Sequence, residues 1–83
     1  MKVLYFSWIK DKLGKSYEEI QVNDDIETVN DLITFLKQTN ENYADVFKDS
    51  STIRVSINME TASFEDTIHA NDEVAFFPPM TGG

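Results

Sequence analysis

The order of apolar and polar residues predicts one long helix and several β-strands. Residues 53–57 alternate strictly between apolar and polar side chains, which is the pattern of a half-buried strand. Residues 29–36 instead repeat their apolar positions at i, i+3, i+4 and i+7, which forms one stripe on an α-helix. The stripe contains Val29, Leu32, Ile33 and Leu36. We expect this helix to cover a sheet.

The sequence also predicts where the helix begins and ends. Thr28 stands at the expected N-cap, and Asp31 follows three residues later in a shortened form of the capping box. Lys37 lies near the C-terminal end, where the helix dipole favours positive charge. Apolar residues at 43, 46 and 47 predict a further short helical turn.

The N-terminal residues predict a β-hairpin. Residues 2–9 are rich in β-forming residues and apolar on both faces, which predicts an inner, central strand. Val3, Tyr5 and Ile9 would share one face, and Leu4, Phe6 and Trp8 the other. Residues 10–14 predict a short helical or turn segment with Gly14 as its exit at positive φ, and residues 17–22 would pair back as the second strand.

The remaining elements complete an α+β domain. Residues 62–64 predict a short edge strand, Ile68 is an isolated apolar residue in a polar connection, and residues 74–77 predict the last strand. The element order β-β-α-β-β-β requires the last strand to return beside the first. We therefore predict a β-grasp fold over residues 1–77, with a mixed sheet of about five strands on one main helix.

The last ten residues differ from the rest of the chain. They carry no charged side chain, although 27% of all residues are charged. Pro78 and Pro79 end any sheet ladder because proline has no N–H to donate. Gly82 and Gly83 are two of only three glycines. This pattern predicts a flexible extended arm over residues 78–83 that presents the terminal carboxylate.

Composition excludes several classes of function. Fifteen acidic residues against seven basic ones give a net charge of −8, which repels nucleic acids and anionic membranes and favours basic protein partners. The chain has no cysteine, which excludes disulfides and a cysteine nucleophile. No apolar run approaches the roughly 20 residues of a membrane span, so we expect a cytoplasmic location.

Candidate sites within the predicted domain are weak. Residues 14–16 resemble the end of a phosphate-binding loop, but Ile9 stands where that loop needs glycine. His69 is the only histidine and has no partner for a metal site. Phe6 and Trp8 fit either the core or an exposed patch. Because no nucleophile is predicted beside a base, we do not expect the domain to be catalytic alone.

The terminal carboxylate is a better candidate for chemistry. With a pKa of about 3.3–3.7 it is ionised near neutrality and is a poor electrophile. Acyl chemistry would first require activation, most simply as an acyl adenylate made with ATP, from which AMP leaves readily. Glycine suits this position because a residue without Cβ can thread a narrow channel in another protein.

Residues 72–79, followed by the terminal Gly82 and Gly83, resemble the MoaD family of molybdopterin synthase small subunits. Together with ThiS proteins, that family comprises ubiquitin-like β-grasp sulfur carriers. The resemblance implies that a MoeB-like enzyme adenylates Gly83 with ATP. A sulfur donor such as a cysteine desulfurase or a rhodanese would then form the thiocarboxylate (1-thioglycine). The arm would deliver sulfur to cyclic pyranopterin monophosphate in a MoaE-like large subunit and so form molybdopterin.

The resemblance also implies roles for particular residues. Gly82 and Gly83 would take part in the chemistry, within a heterotetramer that acts as a sulfurtransferase. No metal and no permanently bound cofactor are expected. The residues expected to bind the partner are Phe76, Phe77, Pro78, Pro79, Met80 and Thr81. Because neighbouring strand residues face opposite sides, we expect one of the two phenylalanines to anchor the core and Phe77 to point outward.

Three alternatives stay open. A sulfur carrier of the thiamine pathway would share the fold and the two glycines, but usually lacks the Phe-Phe-Pro-Pro segment. A ubiquitin-like modifier would share the adenylation step and then be joined to lysines of target proteins. A plain binding module would dock its arm in a partner's groove without activation, and would tolerate an extra residue after Gly83.

Overall fold

The computed structural model describes residues 1–79 and contains one five-stranded mixed sheet. The strands are β1 (Lys2–Tyr5), β2 (Tyr17–Glu19), β3 (Arg54–Ile57), β4 (Glu60–Ala62) and β5 (Glu73–Phe77). The helices are α1 (Ser7–Leu13), α2 (Val29–Thr39) and α3 (Glu41–Val46), with a 3₁₀ turn over Ser50–Thr52. The predicted order of strands and main helix is confirmed. The short helical or turn segment predicted at residues 10–14 is the second half of a helix, α1, that begins earlier, at Ser7.

The sheet has the strand order β2-β1-β5-β3-β4. β1 and β5 run parallel, while the β1–β2, β3–β5 and β3–β4 pairs are antiparallel. The last strand therefore lies in the middle, beside the first, and the predicted β-grasp arrangement is confirmed. β1 is an inner strand, as expected, but β5 is the central one.

A single apolar core joins the inner face of the sheet to α2 and α3. Val29, Leu32 and Leu36 of the predicted helical stripe are buried, and Ile33 is half-buried against them. Ile68 is buried as well, so the isolated apolar residue of the last connection seals the core. The other buried residues are Met1, Val3, Tyr5, Ile9, Ile20, Ile26, Tyr43, Val46, Phe47, Ile53, Val55, Val74 and Phe76.

The N-terminus of α2 has the capping box predicted from the sequence. The backbone N–H of Asp31 donates to Thr28 Oγ1 at 3.2 Å, and Thr28 N–H donates to Asp31 Oδ2 at 3.1 Å. These bonds satisfy N–H groups that have no partner within the helix. They also lower the pKa of Asp31, whose carboxylate accepts from the backbone of Glu27 and Thr28. The capping residues therefore fix where the covering helix begins.

The first strand is shorter than predicted. It ends at Tyr5, because Ser7 adopts a left-handed conformation with φ of 57° and turns the chain into α1. Ile9 is buried as expected, but from the helix and not from the strand. A short apolar run fits both the two-residue period of a strand and the 3.6-residue period of a helix. The start of α1 was for this reason predicted as the end of the strand. Gly14 ends α1 with φ of 75°, as its predicted role requires.

The edge hairpin is also displaced from its predicted position. β3 and β4 are joined by Asn58 and Met59 alone, with φ values of 51° and 71°. Two positive φ values are the mark of a type I′ turn, which fits the twist of a two-residue hairpin. The Asn58 side chain donates to Asp72 Oδ1 at 2.9 Å and accepts from Glu73 N–H at 3.0 Å. This pair of bonds ties the hairpin to the turn before β5.

A polar cluster joins β1, β2 and α3 at one side of the core. Glu18 accepts hydrogen bonds from the hydroxyls of Tyr5, at 2.7 Å, and Tyr43. Lys15 Nζ lies 3.4 Å from Glu18 Oε1 and donates to Tyr43 Oη at 3.1 Å. Burial and the bond to Glu18 raise the pKa of Tyr5. For Glu18, burial acts to raise the pKa, but the two tyrosine bonds and Lys15 outweigh it and lower the pKa.

Replacing Met59 by glycine is expected to stabilise the protein. A side chain at positive φ pays a steric cost that glycine avoids, and Met59 is 89% exposed, so almost no packing is lost. We expect Met59→Gly to raise the free energy of unfolding by about 0.5–1 kcal/mol, seen as a few degrees in Tm. Met59→Ala keeps the Cβ and is the control. An equal gain from both variants would contradict the turn assignment.

The cluster around Glu18 also predicts a dependence of stability on pH. Its pKa is lowered on folding, so the stabilisation is present above the unfolded pKa and is lost as the pH falls through the folded value. The difference in unfolding free energy between wild type and Glu18→Gln should therefore be constant near neutrality and shrink below about pH 4.5. Urea titrations at several pH values measure it, with Glu60→Gln on the exposed edge strand as control. A difference that grew in acid would contradict the account.

Candidate functional site at the end of the last strand

The carboxyl end of β5 is held by aromatic packing. Phe76 is completely buried, and its ring stacks on Tyr5 with a centroid distance of 6.3 Å and an interplanar angle of 13°. The ring of Phe47 meets Phe76 edge-on at 5.0 Å and 73°. Such aromatic pairs add about 0.5–1.5 kcal/mol each beyond the burial of their area. The strand that leads into the C-terminal residues is thus fixed from inside the core.

The residues that follow Phe76 lie at the surface. Phe77 pairs with Arg54 across the ladder, and its side chain is half-buried on the outer face of the sheet, as predicted. Pro78 and Pro79 are half-buried as well and lie beyond the strand. Since proline donates no hydrogen bond, the ladder cannot continue through them. β5 therefore delivers the chain out of the middle of the sheet at Phe77.

Two exposed aromatic side chains follow the neighbouring strand end. Phe6 donates its backbone N–H to the carbonyl of Phe76 at 3.1 Å, so its backbone is fixed beside the end of β5. Its side chain is 47% exposed, and that of Trp8 on α1 is 39% exposed. Of the two readings of these residues, the exposed one is correct. We define Phe6, Trp8, Phe77, Pro78 and Pro79 as the exit surface.

The structure separates the predicted partner-binding residues into three groups. Phe77, Pro78 and Pro79 are accessible, and their partner contacts stay a prediction. Phe76 is a correction, because strand alternation turns its side chain into the core, where no partner can touch it. Its ring anchors the strand in the core, which is the role that the alternation of the two phenylalanines predicts. Met80 and Thr81 lie outside the described residues, as do Gly82 and Gly83, which were predicted to take part in the chemistry.

The interior of the domain offers poor groups for acid–base chemistry. The cluster of Tyr5, Glu18 and Tyr43 has shifted pKa values. However, the pKa of Tyr5 is raised and that of Glu18 is lowered, so both move away from neutrality. Lys15 bonds to this cluster and does not project from a phosphate loop. His69 is 76% exposed, with Nδ1 3.5 Å from Asp72 Oδ2. Residues 1–79 contain no group of three or more side chains suited to hold a metal ion.

Sequence reasoning missed the cluster because its members are far apart in the chain. Tyr43 lies 25 residues from Glu18 and 28 from Lys15. The sequence did contain one indication of the cluster. Tyr5 and Tyr43 stand at positions patterned as apolar, and each carries a hydroxyl that needs a hydrogen-bond partner when buried. The cluster matters for the site because Tyr5 both donates to Glu18 and stacks on Phe76.

A mixed sheet around one main helix, with an uncharged end leaving its middle strand, defines a ubiquitin-like β-grasp protein. The chain belongs to the ThiS family, whose model matches residues 3–83. It is 31% identical over 83 residues to the molybdopterin synthase sulfur carrier subunit of Escherichia coli, covering 100% of this chain and 99% of that protein. The protein of the same name from Dictyostelium discoideum is 36% identical over 87 residues, with coverages of 99% and 94%.

Solved structures agree with this assignment. The crystal structure of H. volcanii small archaeal modifier protein 1 superposes with a TM-score of 0.79 at 27% identity, covering 96% of this chain and 97% of that one. The fold is therefore shared along almost the whole chain. No helix within residues 1–79 has the length and apolar character needed to cross a membrane.

Truncating the two neighbouring phenylalanines should affect stability very differently. Phe76→Ala removes a fully buried ring and should cost about 3–5 kcal/mol of unfolding free energy. Phe77→Ala removes a half-buried ring at the surface and should cost no more than about 1.5 kcal/mol. Urea unfolding of both variants measures the difference. Equal losses would contradict the division into an inner anchor and an outer contact.

Proposed function

We propose that this protein is the sulfur-carrier small subunit of a molybdopterin synthase. The main support is similarity along the full chain to proteins named molybdopterin synthase sulfur carrier subunit, at 31–36% identity. The Phe-Phe-Pro-Pro segment followed by the terminal Gly82 and Gly83 supports it independently, since that segment favours this carrier over one of the thiamine pathway.

The proposed chemistry takes place at Gly83 in three steps. A carboxylate oxygen of Gly83 attacks the α-phosphorus of ATP on an adenylating enzyme, which forms the acyl adenylate and releases pyrophosphate. A sulfur nucleophile from the donor then adds to the acyl carbon, and AMP leaves with the bonding pair. When the donor carries this sulfur as a persulfide, the product is an acyl disulfide between Gly83 and the donor cysteine. A second thiol then attacks the donor cysteine's sulfur, which forms a disulfide with it and releases the thiocarboxylate. The sulfur of the thiocarboxylate passes to cyclic pyranopterin monophosphate in the large subunit.

The exit surface has the properties needed to bind the partner proteins in these steps. Aromatic side chains are enriched at protein–protein interfaces, and the surface supplies three of them: the exposed Phe6 and Trp8 and the half-buried Phe77. Phe76 and Phe47 hold the strand from which the arm starts, so little of the binding energy is lost in ordering its base. The net charge of −8 would speed association with a basic partner.

The protein itself needs no resident cofactor in this scheme. ATP is a substrate of the activating enzyme, and the sulfur is carried on the acyl carbon of Gly83, which is compatible with the absence of cysteine from the sequence. The proposed partners are therefore the large subunit, an adenylating enzyme, and a sulfur donor such as a cysteine desulfurase or a rhodanese.

A ubiquitin-like protein modifier is the second candidate function. One observation favours it: the structural likeness to a small archaeal modifier protein, with a TM-score of 0.79. The modifier would share the acyl adenylate at Gly83, but a lysine amine of a target protein, and not sulfur, would finally take the acyl group. The two functions differ in their products, which makes them separable by mass.

Intact-protein mass spectrometry tests the proposal. The purified chain is incubated with ATP, a family adenylating enzyme and a sulfur source. We expect a mass gain equal to sulfur replacing oxygen, localised to Gly83 by fragmentation. The matched control is the same chain with one alanine added after Gly83, because the added residue moves the carboxylate away from the second glycine.

The outcomes separate the four candidates. The sulfur gain at Gly83 in the native chain alone supports a sulfur carrier, and product formation with the large subunit distinguishes it from a thiamine-pathway carrier. Covalent adducts on the lysines of other proteins would favour the modifier. An unchanged mass with reagents that work on a known carrier would contradict activation and leave a binding module.

A further inference from the structure

A groove on the helical side of the domain differs in charge from the rest of the surface. It runs between α2 and the segment that connects α3 to β3, and has a volume of about 280 Å³. Lys37 and Lys48 lie at it, together with the polar side chains of Asn30, Thr34 and Ser50. Its apolar part comes from Ile33, Phe47, Ile53 and Phe64.

The positive charge of this groove stands out in an acidic protein. The chain has 15 acidic residues against seven basic ones, yet two lysines and no carboxylate line the groove. Four other concave regions formed by residues 1–79 each carry at least one carboxylate. Within that same part of the chain, neither Lys37 nor Lys48 has a carboxylate oxygen within 4.0 Å. Both lysines are exposed residues, so they can meet an anion from solution.

The side chains at the groove match the chemistry of one kind of anion. Lysine ammonium groups, serine and threonine hydroxyls and an asparagine amide are the groups that commonly bind phosphate oxygens. Ile33 and Phe64 are half-buried and can contact the carbon part of a small molecule. A volume of about 280 Å³ is just below the usual range of small-molecule sites, roughly 300–1,000 Å³, and suits a compact ligand.

We propose that this groove binds the phosphate group of a small phosphate monoester. The site is separate from the exit surface, because α2 and the α3–β3 connection cover the inner face of the sheet while Phe77 lies on the outer face. The proposal does not depend on sulfur carriage. Phe47 both lines the groove and packs on Phe76, so a ligand there would contact the support of the last strand.

The net negative charge of the protein limits the affinity of the groove for a phosphate monoester. A charge of −8 repels any anion at long range, but the Debye length is about 8 Å at physiological ionic strength, so distant carboxylates are largely screened. The two lysines act at contact distance and are screened less. We therefore expect a dissociation constant of about 1 mM, equivalent to about 4.1 kcal/mol of binding free energy.

NMR titration of the ¹⁵N-labelled full chain with phenyl phosphate tests the site. We expect saturable shifts of the backbone amides of Thr34, Lys48 and Ser50, close to the proposed contacts. The variant Lys37→Gln/Lys48→Gln should bind about tenfold more weakly, which corresponds to about 1.4 kcal/mol. Lys2→Gln/Lys10→Gln removes the same charge from exposed positions outside the groove, and should bind like wild type.

Two further ligands separate the parts of the proposal. Inorganic phosphate lacks the apolar body and benzyl alcohol lacks the charge, and both should bind clearly more weakly than phenyl phosphate. If inorganic phosphate bound as tightly as phenyl phosphate, the proposal that the ligand has an organic part would be wrong. Equal weakening by the two double variants would reduce the effect to net charge and overturn the site. Shifts that stay linear in ligand concentration up to about 20 mM, well above the expected dissociation constant, would also overturn it.

Discussion

The parallel pairing of the first and last strands is the constraint on which the rest of the structure depends. It places β5 between β1 and β3, where both of its edges are occupied. In that position Phe76 points into the core and is enclosed by Tyr5 and Phe47. Phe77, one residue later, necessarily faces outward. The direction in which the C-terminal residues leave the domain is thus set by the pairing of a strand at the other end of the chain.

The same arrangement separates the residues that stabilise the domain from the residues to which the proposed chemistry is assigned. The buried groups of the domain serve packing, and its one tightly bonded polar cluster is directed at Tyr5, the residue beneath Phe76. Pro78 and Pro79, the last described residues, lie beyond the final strand and are not among the buried core residues. For the proposed carrier this separation has a consequence. The proposed steps at Gly83 use none of Tyr5, Phe47 and Phe76, the residues whose rings hold the last strand.

Much of the fold could be predicted because its signals are local. The alternation of residues 53–57, the Thr28 and Asp31 capping box and the apolar stripe of α2 each depend on residues a few positions apart. The missed features depend on context. Residues 7–9 were predicted as strand but begin α1, because the left-handed Ser7 turns the chain. The edge hairpin is set by Met59 at positive φ, a conformation that is unfavourable for residues with a Cβ. Contacts between distant residues, such as Tyr43 with Glu18, leave no periodic trace.

The site was predicted in the same uneven way. Alternation along the last strand indicated that Phe76 and Phe77 would face opposite sides, and the half-buried Phe77 agrees with this. The sequence did not reveal that Phe6 would be fixed beside the strand end, because that position depends on the β1–β5 pairing. The lysines of the groove gave no signal either, since Lys37 and Lys48 come together only when α2 packs against the segment after α3.

The most direct test of the account is sulfur transfer by a chain that lacks Gly83. Molybdopterin formation is measured in a reconstituted synthase with the full chain and with the shortened chain, at equal concentrations and with the thermal unfolding of each recorded. The account predicts that product formation is abolished while Tm is nearly unchanged, because the chemistry depends on Gly83 and the fold does not. Undiminished product from the shortened chain would contradict the proposed role of Gly83. A large fall in Tm would contradict the separation of the arm from the core.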